Sequence, residues 1–131
     1  MGKPGGLGVW THLRKGIDMP RYQIFYARRP TFHPSGAFGI PRLTVAAMQS
    51  SHVRLCEVQA DSLDDAWCRM QAEQWSPNGE ARPLLERLGL SHTSMSVGDV
   101  IRDEDGTHWE CLDLGWRSLE DDTEAKERNQ P

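Results

Sequence analysis

The chain has 131 residues, of which 37% are hydrophobic, with a mean hydropathy of −0.63 and a net charge of −4. That length supports one hydrophobic core, and no apolar run approaches the ~20 residues of a membrane-spanning helix, which excludes that class. The charge is uneven: residues 1–42 hold seven basic residues and one acidic (+6), 43–118 six basic and thirteen acidic (−7), and 119–131 two basic and five acidic (−3). The asymmetry implies either a basic face for an anionic partner or a basic segment lying on an acidic body.

Residues 1–18 are glycine-rich, with Val9, Trp10, Leu13 and Ile17 as apolar anchors, and are expected to form a flexible extension outside the domain. They lack the apolar stretch of a signal peptide, and Gly6 stands where a myristoylation motif needs Ser or Thr. The expected location is cytoplasmic. Three cysteines (Cys56, Cys68, Cys111), an odd number without Cys-x-x-Cys spacing, agree with a reducing compartment and read as small buried hydrophobes.

Tyr22 to Ala27 is aromatic and β-branched, which suits a strand, and Arg28-Arg29-Pro30 ends it. Thr31 to Pro41, with two prolines, two glycines, Phe32 and Phe38, is a long loop of the kind that carries function or moves. Leu43 to Met48 reads as a second strand and Val53 to Gln59 as a third. Asp61 or Ser62 caps a helix over 61–75, in which Leu63, Ala66, Trp67, Met70 and Gln74 share one face and pack the core. Ser76-Pro77-Asn78-Gly79 turns the chain. A short helix over 83–88 follows, with Pro83 in its first turn and Gly89 at its C-cap. A C-terminal β-hairpin over 97–114 turns at Asp103-Glu104-Asp105-Gly106. The fold class is therefore α+β: a small, mainly antiparallel sheet with two helices and that hairpin, spanning 19–119, before a disordered acidic tail at 120–131.

Few residues are spaced for chemistry. His92 with Thr93, Ser94 and Ser96 offers an imidazole among hydroxyls, able to bind an anion or act as a base, but the hydroxyls serve equally as caps. Asp99 after Gly98 reads as a carboxylate that ties down backbone N–H groups. Cys111 or Cys56 with His92, His108 or His52 would make a nucleophile pair only if the fold joined them. Ligand spacing for zinc and a phosphate loop are both missing, so no catalytic residue, metal or cofactor is expected. Arg28 and Arg29 beside Tyr22, Phe25, Tyr26 and Phe32 form the best binding candidate, a cationic and aromatic surface suited to phosphates and bases. Five tryptophans are a heavy load. Trp75, Trp109 and Trp116 are core packing or, where exposed, interface anchors.

His92-x-x-x-Ser96-Val97-x-Asp99-Val100, then Trp109, then Asp113-Leu114-Gly115-Trp116, resembles the YodL-like domain over residues 91–119. That pattern is a His-Ser stretch, a Ser-Val-x-Asp-Val strand and a closing Asp, Gly and aromatic. Here one residue fewer separates the closing Asp from Gly, and the Trp75–Pro83 turn has no counterpart in it. The family lacks an assigned activity. The resemblance implies a bacterial accessory or mobile-element protein that is not an enzyme. The sequence thus points to a non-catalytic interaction module with a protein partner, binding through Arg28, Arg29, Phe32, His92, Ser94, Trp109 and Trp116. Nucleic acid held by Arg21, Arg28, Arg29 and Arg42 is the alternative, and a Cys–His hydrolase or transferase the third. No membrane partner is expected.

Overall fold

The alternation of Tyr22, Ile24 and Tyr26 with Gln23 and Phe25 makes an interior strand of the sheet. The structure, a computed structural model, describes residues 19–120; the expected extension at 1–18 and the tail beyond Glu120 lie outside the described residues. In β1 (Arg21–Ala27) the side chains of Tyr22, Ile24 and Tyr26 are buried. β2 (His52–Gln59) pairs on one side of β1 and β3 (Val100–Arg102) on the other. β4 (His108–Cys111) and β5 (Trp116–Ser118) complete a five-stranded sheet of order β2-β1-β3-β4-β5, antiparallel throughout. The α+β class with an antiparallel sheet is as expected.

Directly opposed residues in antiparallel pairs share a face. Ile24, Ile101, Trp109 and Ser118 therefore lie on one face, and Phe25, Val100, Glu110 and Arg117 on the other. The first face meets α2 (Leu63–Arg69) and α3 (Ala81–Leu88), where Ala66, Met70, Leu85, Leu90 and Met95 close over Ile24, Tyr26 and Ile101. Burying side chains of that size gives roughly 1.5–3 kcal/mol each. The second face is covered at its centre too. Val100 is as buried as Ile101, because the segment between β1 and β2 folds back over it.

Four expectations need correction. Leu43 to Met48 is not a strand: Val45–Ser51 forms a helix, α1, with Thr44 as N-cap accepting from the Ala47 N–H at 3.2 Å. A hydroxyl cap followed by two alanines outweighs the β-branched Val45. The domain therefore has three helices among the described residues. The 61–75 helix stops at Arg69, because Ala72, at φ +55°, donates its N–H to Ser94 Oγ at 2.7 Å and leaves the helical path. Trp67, expected in the core, is 37% exposed, and Cys68 is exposed rather than buried. The hairpin is shorter than 97–114: Ser96 to Asp99 is a turn with Gly98 at φ +97°, and Trp116–Ser118 adds a third strand.

Other local devices act as the sequence implies. Ser62 Oγ accepts the Asp65 N–H, and Asp65 Oδ2 in turn accepts the Asp61 N–H, which holds its carboxyl below the usual range. Gly89 ends α3 in the left-handed region at φ +74°. In the β3–β4 turn Asp103 Oδ1 accepts from Asp105 and Thr107, and Asp103 Oδ2 from Trp109 Nε1. The three cysteines are free. No helix among the described residues is long and apolar enough to cross a membrane.

Candidate functional site

Loop 28–43 connects β1 to α1, and two buried carboxylates hold it against the sheet. At its entry, Asp99 Oδ1 accepts the Ala27 N–H at 2.8 Å, while Asp99 Oδ2 accepts the Ser96 N–H and His92 Nε2–H. This is the tie-down expected of Gly98-Asp99. At its middle, Glu110 accepts from the Ser35 N–H (2.8 Å) and Ser35 Oγ (2.7 Å). Arg117 Nη2 joins them, donating to Glu110 Oε1 and to the Ser35 carbonyl. Buried carboxylates persist only when their oxygens are met in this way. The backbone is strained on either side of the Ser35 anchor: Phe32 (φ +62°) before it and Phe38 (φ +52°) after it sit in the left-handed region that side chains other than glycine avoid. Such strain persists only where the surroundings over-determine it, and it gathers at functional sites.

Two concavities flank this loop and meet at Val97. The first, about 500 Å³, lies between the loop and α1 and is lined by Arg28, Arg29 and Arg42 with Ile40, Leu43 and Ala47. On its wall, His52 Nε2 bonds the Gly98 carbonyl at 2.7 Å, which can only accept, so Nδ1 is left to accept from Ser51 Oγ at 2.8 Å. Burial lowers the His52 pKa and favours this neutral form. The second concavity, about 400 Å³, runs between the loop, α2 and the β4–β5 turn. It is lined by Phe32, Trp67, Met95, Trp116, Asp64 and Asp113. Phe32 is 53% exposed, and Leu114, between Asp113 and Gly115 in the turn, is 92% exposed.

The expected site residues separate accordingly. Arg28 and Arg29 line the first concavity, and Phe32 and Trp116 the second. His92 stacks on Tyr26 at 4.5 Å and meets the Phe32 ring edge-on at 6.2 Å; its Nδ1 is buried without a hydrogen-bond partner. Ser94 and Trp109 do structural work instead, holding Ala72 and the Asp103 turn. Trp75 does likewise, donating Nε1–H to the Thr93 carbonyl. Arg21 stands apart at the opposite end of β1, beside Glu57 at 3.8 Å, where a concavity of about 720 Å³ has its charges already paired.

The Cys56 and Cys111 thiols are not poised for nucleophilic work: burial pushes Cys56 up to about 11 and Cys111 up to about 12, and neither hydrogen-bonds a histidine among the described residues. No group of three His, Cys, Asp or Glu is placed to hold a metal ion among those residues. Sequence reasoning missed Trp67 and Met95 in the groove, and the Ser35–Glu110–Arg117 network. The signal for the network was faint: an acidic residue in a three-residue alternation with Trp109 and Cys111.

No protein-family model, curated protein or solved structure matches the chain. The YodL-like resemblance therefore stands on the quoted residues alone.

Proposed function

We propose that the domain is a non-catalytic interaction module whose docking surface is the aromatic groove beside loop 28–43. The observation that carries this reading is the convergence of Phe32, Trp67 and Trp116 on one groove, with Leu114 almost wholly exposed on the adjoining turn. Large apolar side chains exposed together mark interaction surfaces, and tryptophan is prominent among the residues that dominate binding energy. The acidic rim of Asp64 and Asp113 favours an apolar partner segment flanked by basic residues. A bacterial accessory or mobile-element setting rests on the YodL-like resemblance.

The nucleic-acid alternative has less support. Arg28, Arg29 and Arg42 line one cavity but Arg21 lines another, and residues 43–118 carry a charge of −7, which repels a polyanion. The Cys–His reading is weaker still, given the raised thiols.

Tagged protein is used to capture partners from host lysate with and without nuclease, alongside Leu114→Asp and Trp67→Ala variants. A stoichiometric protein partner that survives nuclease and is lost in both variants is the expected result. Nucleic acid that co-purifies, and is lost on Arg28→Ala/Arg29→Ala substitution, would replace this reading with the alternative.

A further inference from the structure

The arginines of loop 28–43 have no part in that docking surface, yet the fold brings them together. Arg28 and Arg29 enter no side-chain hydrogen bond or ion pair among the described residues, and Arg42 reaches only Glu120, at 3.9 Å. The Arg28 backbone is fixed on the cavity wall by its N–H bond to the Ser51 carbonyl at 2.9 Å. All three line one cavity, and each guanidinium is a planar fork matched to a carboxylate or phosphate.

The remaining lining is apolar or already satisfied. Ile40, Leu43, Ala47 and Val97 give a hydrocarbon wall. The Glu110 carboxylate at the base is engaged by Ser35 and Arg117, and His52 by Gly98 and Ser51. An anion at the mouth therefore meets cations with free donors, and the floor offers no unpaired negative charge.

We propose that this cavity binds a small organic anion, a carboxylate or phosphate monoester with an apolar body. Arg28, Arg29 and Arg42 hold the charged head, and the body lies against Ile40, Leu43, Ala47 and Val97. The volume of about 500 Å³ falls within the range of small-molecule sites. A polymeric anion fits poorly, since the three arginines line a single cavity and the body of the domain is acidic. The loop is pre-organised by its carboxylate anchors, which lowers the cost of ordering it around a ligand. This site is separate from the aromatic groove, and neither proposal depends on the other.

The test is titration calorimetry of the full chain with hexanoate, phenyl phosphate, their neutral counterparts hexanol and phenol, and a single-stranded oligonucleotide. At least one of the two anions saturates a single site, about tenfold or more tighter than its neutral counterpart, and which one does so identifies the head group. Arg28→Gln/Arg29→Gln weakens it by about tenfold or more. Ala47→Trp, which fills the wall and leaves the arginines intact, abolishes it. All three substituted residues are exposed, so circular dichroism and the melting temperature stay close to those of the parent. Failure of both anions to saturate, equal affinity for the neutral compounds, indifference to the Arg→Gln pair, or binding of the oligonucleotide alone would each overturn the proposal.

Discussion

Asp99 and Glu110 are both buried to within 1% of complete exclusion from solvent, and both anchor the same loop, yet they are stabilised differently. Glu110 meets a formal charge: Arg117 reaches its Oε1 and also grips the Ser35 carbonyl, so carboxylate, guanidinium and loop backbone close a triangle. Asp99 is held by three N–H donors, two of them backbone, with an imidazole as the third. One anchor depends on a charge pair, and the other on which oxygen faces which donor. The middle of the loop should therefore be sensitive to loss of charge, and its entry to loss of hydrogen-bond direction.

The largest effect follows from breaking the charge pair. Glu110→Ala leaves a partly buried guanidinium and the Ser35 N–H unmatched and should cost about 3–5 kcal/mol in urea unfolding. Asp99→Asn keeps size and one acceptor but turns an NH₂ toward a donor, for about 1–3 kcal/mol. If the second change proved the more damaging, charge pairing would not be the dominant distinction.

A pH titration sharpens the contrast, because a neutral imidazole sits between the anchors. Burial lowers the folded pKa of His52, and burial together with Arg102 lowers that of His108. The unfolded chain thus binds protons first, so stability holds above the unfolded value of about 6.5 and falls as pH drops below it. The midpoint of urea unfolding followed from roughly pH 7.5 to 5.5 should fall, and His52→Gln should flatten that slope.

The smallest effect concerns backbone strain. Phe38 is 84% exposed and at φ +52°, touching the His33 ring at 4.8 Å. Phe38→Gly should raise stability by about 0.5–1 kcal/mol, read as a higher melting temperature.

The strands at 21–27 and 52–59 and the 100–111 hairpin were legible because their periods, turn residues and caps agree with the tertiary structure. α1 was not. Leu43-Thr44-Val45 has strand composition, and the helix is decided by one hydroxyl cap and two alanines. The early end of α2 was hidden because its cause, Ser94, lies 22 residues away. Within the candidate site, Arg28, Arg29 and Phe32 were visible as a cluster in a long loop. Their division between two concavities depends on Ser35 reaching Glu110 across the sheet, a non-local contact without a local pattern. The helical stripe points Trp67 inward, but a helix of seven residues buries Ala66 and leaves its neighbour at the rim.

The position of β1 between β2 and β3 has a consequence for synthesis. Ile24 is made early, but its partner Ile101 emerges only after all three helices and most of the acidic body. Until then β1 has β2 alone, and a two-stranded pair is marginal in water. The nascent chain therefore leaves one edge of β1 unpaired, and its core without Ile101, through most of translation. A product interrupted before Val100 lacks the strand that pairs with the second edge of β1 and the Ile101 that completes the core, and is a substrate for chaperones and proteases rather than a partial domain.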